Sequence, residues 1–81
     1  MSKKLVRANA SDLQIDTEVW RVDKRFRPVR GIVDILSYPS IDAPLPTRAG
    51  VTWFTDDGRP YSHSQVTISR VGRRNGRWEV R

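Results

Sequence analysis

Within residues 21–30, five cations surround one aromatic ring: Arg21, Lys24, Arg25, Phe26, Arg27 and Arg30. Cationic side chains displace the counterions of a phosphate backbone, and an exposed phenyl ring offers a face on which an unpaired base can stack. A second basic group follows at Arg70, Arg73, Arg74 and Arg77. Residues 21–30 hold five bases against Asp23, net +4, and residues 70–81 hold five against Glu79, again net +4. Residues 31–69 are net −2, so the formal charge of +6 is concentrated in two short segments. Such concentration is the electrostatic footprint expected of a nucleic-acid surface, DNA or RNA, and would equally suit an acidic protein surface. Twelve of the 15 bases are Arg, whose planar fork suits bidentate contact with phosphate or carboxylate. The competing reading is a solvated face whose Arg stems cover apolar surface, with Phe26 tucked into the core rim.

Other chemistry is thinly represented. His63 is the sole histidine, near Ser62, Ser64, Asp56 and Asp57. A nucleophilic triad needs a buried, convergent geometry that a surface turn does not offer, so no enzyme is expected here. One histidine with scattered carboxylates makes no metal site, and no cofactor is implied. There are no cysteines, which removes disulfides and thiolate chemistry and suits a reducing compartment. No apolar run is long enough for a membrane span, and the start Met1-Ser-Lys-Lys-Leu-Val-Arg7 lacks a signal peptide's apolar stretch. A cytoplasmic protein without membrane contact is the expectation.

The elements that would position the basic residues are short and β-like. Val51-Thr-Trp-Phe-Thr55 alternates, Asp56-Asp57-Gly58 supplies turn chemistry, and a second strand is expected from beyond Tyr61 to Val71. Glu18–Val22 reads as a first strand with Trp20 and Val22 on one face. Val29–Leu36 reads as the next, with Val29, Gly31, Val33 and Ile35 on one face and Gly31 free to bend. Asn75-Gly76 is the strongest hairpin signal and leads into Trp78-Glu-Val80. Trp20, Trp53 and Trp78, at comparable places in three strands, are expected in the core. Ser37–Gly50 carries three of the five prolines and no periodicity, so it reads as a long loop after strand 2. Residues 10–14 allow at most one helical turn, and residues 1–9 read as a flexible basic N-terminus before one domain over 10–81.

This order of elements implies an all-β protein, a five-stranded antiparallel barrel. Asp16-Thr-Glu-Val-Trp20, Pro28-Val-Arg-Gly-Ile-Val33, and Val51-Thr-Trp-Phe-Thr-Asp-Asp-Gly58 followed by Ser64-Gln-Val66 resemble the SH3-like small barrels of the Tudor and KOW kind, over residues 13–81. The acidic, Tyr-rich groove of peptide-binding SH3 domains and the four-aromatic cage of methyl-lysine readers are both missing. The expected function is a small basic binding module that docks nucleic acid through its Arg-rich turns. The alternative is a protein-interaction module of the phage or mobile-element type, binding or inhibiting a host protein through Tyr38, Ile41 and Leu45 of the proline loop or through an edge strand. Unpaired strand edges also leave room for a homo-oligomer.

Overall fold

The computed structural model describes the backbone of residues 6–7 and the whole of residues 12–22 and 27–80. Seven strands form one sheet: β1 (Val6–Arg7), β2 (Glu18–Val22), β3 (Pro28–Ser37), β4 (Arg48–Phe54), β5 (Pro60–Thr67), β6 (Val71–Arg74) and β7 (Arg77–Val80). Their spatial order is β1-β6-β7-β2-β3-β4-β5. Every pairing is antiparallel except β2 with β7, which is parallel with Val19 opposite Trp78. The protein is therefore all-β, as expected. Among the described residues it differs from a five-stranded antiparallel barrel in strand count, in its one parallel pair, and in having two edges, β1 and β5, which do not pair with each other.

Why the chain bends as it does follows from local chemistry. At the tip of the β4–β5 hairpin, Thr55 and Arg59 close the turn by backbone hydrogen bonding and Gly58 takes φ 85°, a left-handed conformation that costs glycine nothing. Asn75 and Gly76 both have positive φ, 52° and 78°, as a two-residue hairpin turn of the primed type requires. Register shifts between Val33 and Ile35, and between Trp53 and Phe54, mark bulges that add twist and curl to the sheet.

The concave face holds the core. Leu13, Val19, Val29, Val33, Ala49, Val51, Trp53, Ile68 and Val71 form one buried cluster, with Leu36, Val66, Trp78 and Val80 packed against it. Trp53, only 1% exposed, lies directly over Gly31. A Cβ at residue 31 would stand 2.6 Å from Trp53 Cε3 and 2.6 Å from Val51 Cγ1, so Gly31 serves close approach of the indole rather than a bulge.

Several expectations are corrected. In β2 it is Val19 that is buried, while Trp20 is half-buried and Val22 exposed; the inward set is Val19 and Arg21. In β3 the bulge at Asp34 reverses the alternation, so Leu36 faces the core and Ile35 is 50% exposed. The strand expected to run to Val71 stops at Thr67, because the 3-10 turn Ile68–Arg70 carries the chain from β5 to β6 and buries Ile68. The Ser37–Gly50 loop is shorter than expected, since β3 runs to Ser37 and β4 begins at Arg48. Of the helical turn at 10–14, Asp12 has 3-10 conformation and Leu13 is buried; residues 10 and 11 lie outside the described residues. So does the expected flexible N-terminus, apart from Val6–Arg7, which pair with Arg73 and Gly72. Among the described residues no helix is long and apolar enough to cross a membrane.

Candidate nucleic-acid interface

The register across β7, β2, β3, β4 and β5 assembles two rows of side chains on the convex face. One row runs Glu79, Trp20, Arg30, Phe54, Pro60; the next runs Arg77, Glu18, Ile32, Thr52, His63. Directly opposed residues of neighbouring strands project to the same side, so each row is a line of neighbours about 4.8 Å apart.

In the first row Trp20, Arg30 and Phe54 follow one another, and Arg77 of the second row lies over Trp20. The Arg77 guanidinium sits 3.9 Å from the Trp20 ring centroid, and that of Arg30 sits 5.3 Å from Phe54. Glu18 ties the array together by accepting hydrogen bonds from Arg30 Nε at 2.8 Å and from Trp20 Nε1 at 3.0 Å. The Arg30 hydrogen bond chiefly holds the Glu18 carboxyl below its ordinary range; burial opposes it next in size, and the Trp20 bond and the positive fields of Arg30 and Arg77 add to the lowering. Trp20 and Phe54 are both half-buried, each with a guanidinium over its ring. Two adjoining hollows of about 240 Å³ each flank Trp20 and Pro28. One is completed by Arg30, Phe54, Thr55, Asp56 and Gly58, the other by Arg21, Val22, Arg77, Glu79 and Val80.

Beyond Phe54, the neighbouring cluster is polar. Asp34 accepts a hydrogen bond from Thr52 Oγ1 at 2.6 Å and lies 3.0 Å from His63 Nε2. The Thr52 bond first, then His63, lowers the Asp34 carboxyl below its ordinary range. His63 thus has Asp34 as its acidic neighbour, from across the sheet, and not Asp56 or Asp57 nearby in sequence. Among the described residues no group of three or more His, Asp or Glu is arranged to hold a metal.

The basic residues named from the sequence divide among several surfaces. Arg30 and Arg77 come together on the convex face beside Trp20, and Arg74 flanks them, paired with Glu79 at 3.5 Å. Arg21 turns to the concave side, 4.4 Å over the buried Trp53 ring, and donates to Tyr61 Oη at 2.9 Å; its Nε is buried without a partner. Arg73 also faces the concave side, 5.0 Å from Trp78. Arg27 is exposed and forms an ion pair with Asp56 at 3.6 Å. Lys24, Arg25 and Phe26 lie outside the described residues. Parallel pairing of β2 with β7 puts the Asn75-Gly76 turn at the Glu18 end of β2, away from Val22.

Tyr38, Ile41 and Leu45 are all exposed, Ile41 completely. The expectation of three core tryptophans is corrected: only Trp53 is fully buried, its Nε1 donating to Ser64 at 2.9 Å, while Trp20 and Trp78 each lie half-buried beneath an arginine. Trp20, Phe54 and Glu18 are site residues that sequence reasoning did not select. The available signal was the heteroaromatic and acidic character of Glu18-Val-Trp-Arg, in which Val19 alone is fully apolar and aliphatic before Val22. No protein family, curated protein or solved structure matches this chain.

Proposed function

We propose that this protein is a small cytoplasmic module of SH3-like character that binds single-stranded nucleic acid across the convex face of β2, β3 and β4. The observation that carries this reading is the cluster of Arg77, Trp20, Arg30 and Phe54, its rings half-buried and two hollows lined by Trp20 beside it. Two π-faces two strands apart accept bases of any identity, and guanidinium groups between them meet the phosphates. Phosphate contacts position a strand without reading its sequence, so the binding is sequence-tolerant. Arg27 and Arg74 border the same face and would release Asp56 and Glu79 on meeting phosphate, since ion pairs this exposed contribute little.

Fluorescence anisotropy with labelled single- and double-stranded DNA and RNA, at low and moderate salt, tests the proposal. Binding that favours single strands and weakens steeply with salt supports it; no binding at low salt ends it. A second reading rests on exposed Tyr38, Ile41 and Leu45, which suit a contact with a host protein. In that case an Ile41→Asp variant would lose its protein partner while changes to Arg30 and Arg77 would matter little.

A further inference from the structure

We infer that β5 is the contact edge for a second copy of this chain, added antiparallel along Pro60–Thr67. The sheet has two edges, and they are built differently. The described part of β1, Val6–Arg7, carries a charged residue, and charge on an edge discourages strand addition. β5 is eight residues long, exposed at every position except the half-buried Val66, and no described strand pairs with its outer side.

Charge makes the second copy the favoured occupant. The chain is 30% charged, and every strand holds at least one Lys, Arg, Asp or Glu except β5. Its protection is confined to one end, where Pro60 and the bulge opposite Phe54 stand. An edge meant for an acidic or basic peptide would carry opposite charge. A self-complementary edge is best uncharged near its centre, because residues beside a two-fold axis lie close to their own equivalents. Antiparallel pairing centred on Ser64 sets Tyr61 opposite Thr67, Ser62 opposite Val66 and His63 opposite Gln65 of the second copy. No like charges meet. Such an axis stands perpendicular to the sheet, so both convex faces stay on the same side. Two Trp20 surfaces then join into one continuous face, which can hold a longer strand with the gain that bivalence brings.

Salt separates this contact from nucleic-acid binding. Each protomer carries a formal +6, so screening reduces their repulsion and strengthens the pair, whereas phosphate contacts weaken. The experiment is analytical ultracentrifugation of the full chain, without nucleic acid, at low and moderate salt, for wild type, Gln65→Lys, Gln65→Glu and an equimolar mixture of the two variants. Gln65 is exposed and takes part in no side-chain hydrogen bond described above, so either change should leave the fold intact. Wild type is expected to dimerise, more strongly at higher salt. Each variant alone should associate at least about tenfold more weakly, and mixing them should restore dimerisation as Lys meets Glu. A wild type that stays monomeric up to about millimolar concentration, the weak end of specific association, overturns the inference. So do variants that dimerise like wild type, or a mixture that does not recover.

Discussion

Replacing Trp20 by alanine separates what this ring does for binding from what it does for folding. In the folded protein the ring makes two identifiable contacts, the Arg77 guanidinium at 3.9 Å and the Glu18 carboxylate at 3.0 Å. An exposed cation–π contact contributes about 0.5–1 kcal/mol and a solvent-exposed hydrogen bond about 1 kcal/mol, so Trp20→Ala should cost about 1.5–2 kcal/mol of stability. Trp53 is buried against Gly31 and Val51, and its loss should cost about 3–5 kcal/mol. Binding should order the two variants the other way. A base stacked on an aromatic ring is worth about 1–3 kcal/mol, which corresponds to about 5- to 150-fold in Kd for Trp20→Ala. Urea denaturation gives the first quantity and anisotropy against a labelled single strand, well below the melting temperature, gives the second. Trp20→Phe should recover most of the affinity, because it restores a π-face, while Trp20→Leu restores only bulk. The reasoning fails if Trp20→Ala binds like wild type, or if the leucine variant binds as tightly as the phenylalanine variant.

Two further outcomes follow from contacts inside the fold. Gly31→Ala inserts a methyl group into a 2.6 Å space against Trp53 and Val51, and should destabilise by about 1–3 kcal/mol or more, read as a lower urea midpoint with a shifted tryptophan emission. Glu18→Gln should strengthen nucleic-acid binding and steepen its logarithmic salt slope by about 0.7 for a single strand, because Arg30 becomes available to one more phosphate. The same variant has a pH signature. The Glu18 carboxyl titrates below its ordinary 4.5 in the folded protein, so the stabilisation it provides is complete above that value and is lost as pH falls through the lowered one. Wild-type stability should therefore drop across that acid window by more than that of Glu18→Gln; equal slopes would show that the Arg30 pair contributes nothing.

Strand positions were legible in the sequence wherever turn chemistry framed them. Asp56-Asp57-Gly58 and Asn75-Gly76 both form the hairpin tips their residue types require, and Glu18–Val22 is a strand at the residues expected. Facing was harder, because β2 alternates Glu, Val, Trp, Arg, Val and offers two plausible inward sets. The larger apolar ring did not take the core. The concave side at that level is already filled by Trp53, leaving beside it a place for the flat guanidinium of Arg21. Ile35 was misassigned for a different reason: a bulge at Asp34 changes parity without leaving a glycine or proline as its mark. Ile68-Ser-Arg70 looks extended by composition, yet it must turn, since β5 and β6 lie far apart in the sheet order. The candidate site shared this limit. Its arginines were named from charge density, but their division between two faces depends on register, which is long-range information.

The parallel seam between β2 and β7 also bears on how the molecule comes into being. Val19 and Trp78, opposed in that seam, are about sixty residues apart in sequence, and closing so long a loop is entropically costly before any neighbouring contact rewards it. A nascent chain exposing residues only as far as Thr67 can assemble β2 to β5 as a meander, but β2 then presents a bare flank carrying Trp20. Synthesis of residues 71–80 supplies the hairpin that covers it. The interval between those two moments is when this protein is most open to wrong pairing, and the rate at which the β6–β7 hairpin docks should limit the rate of folding.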